Sequence, residues 1–196
     1  MHRATLVAAT AATALAALLI WRFALHAPAV HSLDEAALRE YVGAYQWGPD
    51  AFVYLERWDE LARSKQLVAL DESGDVRTLY PTGPDRFFAG PGAAVRSEIE
   101  SHVSFQRGAA GEIVSLRWQR EGVPERLARR VALDAREDVR FTHGSLALAG
   151  TLITPAQAGR RPAVILVHGS GAADRDAMLP FARFLVRRGM AVLAYD

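Results

Sequence analysis

Ala163-Val164-Ile165-Leu166-Val167, followed by His168-Gly169-Ser170-Gly171-Ala172-Ala173-Asp174-Arg175-Asp176, is the stretch that decides how this chain is read. The apolar run is too short for a helix and rich in β-branched residues, which suits a strand covered on both faces, as in parallel sheets. The glycines after it predict a turn. A helix should follow, with Met178, Phe181, Ala182 and Leu185 on one face and Arg183, Arg187 and Arg188 elsewhere. Pro180 is tolerated in the first helical turn, where no amide is needed. Gly189 is a natural stop, and Ala191-Val192-Leu193-Ala194-Tyr195 reads as a second buried strand. Strand, glycine-rich turn, helix and strand make one βαβ unit. The sequence stops at Asp196 within that architecture, so an incomplete domain is expected.

Outward from this stretch, composition narrows the classes. The 196 residues are 51% hydrophobic and 23% charged, enough for a globular core and too apolar for disorder. Net charge is +1, and 22 of the 23 basic residues are arginine, Lys65 being the exception. The arginines are scattered and form no basic patch, so nucleic acid is not an expected partner. The absence of cysteine excludes disulfides, thiolate metal sites and a thiol nucleophile.

At the N-terminus, His2 and Arg3 precede an uncharged stretch, residues 4–21, dominated by alanine and leucine. Ala27-Pro28-Ala29 then offers an A-x-A cleavage site. Residues 1–29 read as a signal peptide or an uncleaved membrane anchor through residues 4–21. Arg22, directly after the apolar run, leaves both open. Either way the protein is expected to be exported: periplasmic, secreted or anchored in an inner membrane.

Ser32-Leu33-Asp34-Glu35 reads as a capping box opening a helix, with Leu33, Ala37, Leu38, Tyr41 and Val42 on its apolar face and Gly43 at its end. From about residue 44 to 120 the pattern changes to short alternating strands separated by turns. Residues 51–57 form one. Residues 66–70 and 76–80 flank the hairpin loop Asp71-Glu72-Ser73-Gly74-Asp75. Ile99, Val103 and Phe105 alternate with polar residues, and Val114, Leu116 and Trp118 are expected on one face. Strict alternation implies one buried and one wet face, hence an antiparallel meander or small barrel. Trp47, Trp58 and Trp118 are candidates for lining a ligand cavity, although filling a small core explains them as well.

Residues 123–137 are charged and only partly apolar, and read as a linker holding at most one strand. A hairpin follows, with residues 139–142 and 146–154 joined at His143-Gly144, where glycine permits positive φ. That turn accounts fully for His143. The expected fold class is therefore α+β then α/β: a small antiparallel barrel with one helix, followed by the first strands and helix of a second sheet.

Two family resemblances attach to these residues. Leu38-x-x-Tyr41-Val42-Gly43-x-Tyr45, Leu79-Tyr80-Pro81 with Phe87-Phe88, and Val103-x-Phe105…Gly111-x-Ile113-x-x-Leu116 resemble the lipocalin-like β domain appended to some exported serine hydrolases, over residues 33–122. Residues 138–196, above all His168-Gly169-Ser170-Gly171…Asp174-Arg175-Asp176, resemble the start of an α/β-hydrolase of the dipeptidyl-peptidase-like and dienelactone-hydrolase-like branch. That resemblance implies a serine hydrolase acting on a small-molecule or peptide acyl substrate, with no metal or organic cofactor. It also implies that the loop after the strand lends a backbone amide to an oxyanion hole. By position that amide belongs to Ser170, with Gly169 and Gly171 shaping the turn and His168 and Asp174 supporting it.

Ser170 does not read as the nucleophile. The nucleophile elbow needs glycines two before and two after its serine, whereas Gly169 and Gly171 are immediate neighbours. No G-x-S-x-G occurs, and the last histidine is His168, so nucleophile, acid and base are all expected beyond Asp196. Two other classes fit the same residues. Gly169-x-Gly171-x-x-Asp174 with a strand-terminal Asp196 mimics a dinucleotide-binding fingerprint, although Asp174 replaces its third glycine. A non-catalytic ligand-binding β module is the remaining reading.

Overall fold

The computed structural model describes residues 29–58, 65–157, 159–169 and 174–196. The leader or anchor reading, residues 1–29, lies outside the described residues except for Ala29, and Ser170 and Gly171 also lie outside them. Among the described residues, no helix is long and apolar enough to cross a membrane.

A short helix, α1 (Glu35–Tyr41), comes first. Its N-cap is Asp34 rather than Ser32: the Asp34 carboxylate accepts the Ala37 N–H at 2.8 Å. The start shifts because a carboxylate in extended backbone satisfies the orphan amide and favours the positive end of the helix dipole. Eight strands then follow in sequence order: β1 (Gly43–Gly48), β2 (Ala51–Trp58), β3 (Gln66–Asp71), β4 (Val76–Gly83), β5 (Arg86–Ala89), β6 (Ser101–Arg107), β7 (Ile113–Arg120) and β8 (Val123–Val131). Each pairs antiparallel with the next, and β8 returns to β1 through Ala44 opposite Val131, closing a barrel. The expected meander or barrel is thus an eight-stranded barrel. Its last strand occupies residues that read as linker.

Eight strands leave an interior that side chains can just fill. Tyr45, Leu55, Leu67, Leu79, Phe87, Val103 and Leu116 fill it here. Phe87 meets Phe105 with ring centroids 5.4 Å apart and Tyr41 of α1 at 5.0 Å, both edge to face. The buried Tyr45 hydroxyl donates to the Tyr41 carbonyl at 2.7 Å, so even the inward phenol is satisfied. Val114 departs from its expected face. A bulge opposite Gln106 and Arg107 changes the phase of β7, so that Ile113 and Leu116 point inward and Val114 outward.

The α1 helix caps one barrel end, pinned there by charge. Asp85, in the β4–β5 turn, accepts the Tyr41 hydroxyl at 2.9 Å, and the Arg107 guanidinium donates to the same carboxylate. The bonds from Arg107 hold the Asp85 carboxyl below its ordinary value, against the opposing effect of burial. A depressed folded-state value means that Asp85 stabilises the fold above the ordinary aspartate range and loses this contribution as pH falls through the folded value. Asp85→Asn should therefore flatten the acid limb of stability below about pH 4, measured as Tm against pH. An unchanged limb would show that Asp85 is not coupled to folding.

The remaining strands form a second sheet: β9 (Asp134–His143), β10 (Leu146–Pro155), β11 (Ala163–Val167) and β12 (Ala191–Tyr195), in the order β11-β12-β10-β9. The hairpin β9–β10 turns at Gly144, whose φ is +61°. Only β11 and β12 are parallel, and β12 runs antiparallel to β10. A 3-10 turn (Arg175–Met178) and the helix α2 (Leu179–Arg187) lie between β11 and β12, and Gly189 ends the helix at φ +83°.

This arrangement corrects the α/β-hydrolase resemblance. The sheet is mixed, has four strands and carries one α-helix, on one face. Ile165 and Val167 on its other face are 61% and 60% exposed, where such a fold would place further helices. Of the expected apolar face of α2, Met178, Ala182 and Leu185 pack against the core of this sheet, and Phe181 and Arg183 are corrected. Leu179, Ala182 and Val186 meet the sheet, Phe181 faces solvent, and Arg183 is buried. Arg183 turns inward because the side of α2 that reads as polar is a second interface, against the barrel.

Candidate functional site

That interface is built on β2. Inward-facing Val53 and Leu55 belong to the barrel core, while outward Phe52, Tyr54 and Glu56 lie under α2 and β9. Glu56 accepts bonds from Arg136 of β9 and Arg183 of α2, and Arg183 also reaches Asp134 at 2.8 Å. Arg187 lies over the Phe52 ring at 4.5 Å and pairs with Glu72. Barrel and second sheet are therefore joined largely by ion pairs.

Beside this junction opens a cleft of about 460 Å3. Barrel residues Glu56, Arg57 and Lys65 line one wall, and Asp174, Arg175, Asp176 and Asp196 line the other. The second wall gathers where β11 and β12 end. The Asp174 carboxylate caps the 3-10 turn by accepting the Asp176 N–H at 3.0 Å. Asp196, at the end of β12, accepts the Arg175 N–H at 3.0 Å and its guanidinium at 2.7 Å.

The two walls are tied together. Arg57 donates to Asp176 at 2.8 Å, and Lys65 reaches Asp174 at 2.8 Å and Asp176 at 2.6 Å. Burial alone would lower the Lys65 value, but the two carboxylates outweigh it and hold the ammonium above its ordinary value. Burial would likewise raise Asp174, yet Lys65 and the amides of Asp176 and Ala177 hold it below. Both groups are thus charged near neutral pH and poorly placed to exchange protons there. They hold the start of the 3-10 turn against the barrel instead of acting on a substrate.

Of the residues singled out from sequence, Asp174 is in this wall. Gly169 has open space where a side chain would begin. His168 is half-buried, and its Nδ1 lies 2.8 Å from the Gly169 carbonyl oxygen, to which the Nδ1-protonated tautomer donates. No hydrogen bond joins His168 to a hydroxyl or carboxylate among the described residues. Ser170 and Gly171 lie outside them. Asp196, which a dinucleotide reading would place on a ribose, is occupied by Arg175. No cluster of metal-ligating side chains occurs among the described residues.

No family model matches the chain, and no curated protein or solved structure matches it. Neither the hydrolase nor the lipocalin-like resemblance thus gains a relative, and the barrel rests on its own geometry.

Sequence reading missed the barrel wall of the cleft. Lys65 was conspicuous as the sole lysine, but nothing local placed it 2.6 Å from Asp176, 111 residues away.

Proposed function

We propose that the chain takes part in hydrolysis of acyl compounds (an ester, thioester, amide or peptide), with the cleft as its substrate-side site and the glycine-rich turn after β11 supplying oxyanion-stabilising amides. What supports this is the meeting of the carboxyl ends of β11 and β12, the parallel pair, beside a polar cleft of about 460 Å3. Ligands of sheets with helical crossovers bind beyond the carboxyl ends of their strands. At Gly169 no Cβ stands between main chain and substrate, as close approach to a carbonyl requires. Residues 168–171 are assigned to transition-state stabilisation, and none to nucleophilic attack. With residues 1–29 as leader or anchor, the reaction would take place outside the cytoplasm.

The test uses the amide of Ser170. In the 196-residue protein, p-nitrophenyl ester should be released without a burst, because no described serine is hydrogen-bonded to a histidine. Hexanoate, a product-like anion, should shift amide resonances of residues 168–176 in an NMR titration. Ser170→Pro removes the N–H and should weaken hexanoate about tenfold or more, whereas Ser170→Ala should change it less than about twofold. Hexanoate binding that leaves residues 168–176 unperturbed overturns the proposal. A burst abolished by Ser170→Ala overturns the assignment of Ser170 and makes it the nucleophile.

A further inference from the structure

The barrel end opposite α1 holds a second cavity, of about 190 Å3, lined by inward-facing residues of several strands. Trp47 of β1 and Trp118 of β7 form its apolar wall, edge to face with ring centroids 6.3 Å apart. Both are only partly buried, so the aromatic cluster of the barrel stops below them. Ser101, at the start of β6, is 1% exposed, and its Oγ has no hydrogen-bond partner. An unmet buried hydroxyl costs about 1–3 kcal/mol and calls for a ligand that can bond to it.

The charges of this mouth are distributed unevenly. Arg77 and Arg120 both pair with Glu100, at 3.1 and 2.6 Å. Asp71 accepts three bonds from its own hairpin, and Asp75 faces Arg77. Arg126 has no carboxylate partner among the described residues. Its guanidinium lies over the Trp47 ring, 3.5 Å from the centroid. Stacking uses the face of the guanidinium and leaves its in-plane N–H groups directed outward, the geometry that forks a carboxylate.

We infer that the barrel mouth is a binding site for a small aromatic carboxylate. Its ring lies against Trp47 and Trp118, its carboxylate takes the in-plane N–H groups of Arg126, and the Ser101 hydroxyl provides a further donor. The site is independent of the cleft, being at the other end of the barrel from α1 and built from different residues.

Indole-3-acetate is a suitable probe, with indole-3-ethanol as its uncharged counterpart, each titrated calorimetrically into the full chain. Indole-3-acetate should bind saturably below about 1 mM, and the alcohol about tenfold more weakly. Arg126→Gln should reduce the acid's affinity about tenfold or more and leave the alcohol's unchanged, since a charge-assisted fork is lost. Arg126→Lys should recover part of the loss, and Ser101→Ala should weaken the acid a few-fold with Tm preserved. Equal binding of acid and alcohol, an acid indifferent to Arg126→Gln, or no binding of either probe would each overturn the inference. Shifted resonances at Trp47 and Trp118 mark this site and those at residues 168–176 mark the cleft, so the two proposals fail separately.

Discussion

Glu56→Gln is expected to destabilise the folded protein by about 3–5 kcal/mol in urea denaturation, because it removes one partner of a buried ion network. Glu56 and Arg183 have side chains only 2% and 5% exposed, and Glu56 also accepts a bond from Arg136. Without the Glu56 charge, Arg183 keeps only Asp134, and two guanidinium groups share a desolvated pocket. A double replacement, Glu56→Leu with Arg183→Met, should recover most of the loss, since well-packed apolar residues often replace a buried pair at no net cost. Glu56 belongs to the barrel and its partners to the second sheet. The single mutant should therefore unfold in two steps, the sheet losing structure before the barrel. A single mutant within about 1 kcal/mol of the parent would show that water reaches this network.

Phe87→Ala should cost a comparable amount, about 3–5 kcal/mol, through lost transfer energy and a cavity in the middle of the barrel. Phe87 is 1% exposed and touches two other rings of the interior cluster. Phe181→Ala is the matched control. Its ring is 50% exposed on the outer side of α2, and the substitution should fall within about 0.5 kcal/mol of the parent. The same measurement, midpoint and slope in urea, checks both. A large loss at Phe181 would place that ring in an interface and restore the helix face read from sequence.

Legibility followed sequence separation. Strands β2, β3, β4 and β6 were readable because alternation with period two is a local signal, as were the glycine turns at 144 and 189. Strand β8 was not readable as part of the barrel. Inward Ala128 is small and inward Arg126 is charged, while Glu125 and Arg129 face water, so its composition resembles a linker. Its strand character comes from the backbone bonds to β7 and β1. In the cleft, Asp174 was legible as a cap beside a glycine-rich turn. Arg57 and Lys65, which bind Asp176 of the 3-10 turn, were not, because they are joined to it across more than a hundred residues.

By itself, the sequence determined where several of the strands and turns fall, that the N-terminal strands make an antiparallel meander or small barrel, and that a strand–turn–helix–strand unit follows. Each of these depends on side-chain period, glycine at positive φ, or capping within a few residues. Tertiary structure alone decided that the meander closes, that the second sheet is mixed and open on one face, and that Arg183 is buried while Phe181 is not. Closure depends on a ladder between β1 and β8, whose paired residues Ala44 and Val131 are far apart in the chain. Arg183 is buried because Glu56 and Asp134 wait opposite it. A charge can be inside only where its partners are, and their positions are not a property of any one segment.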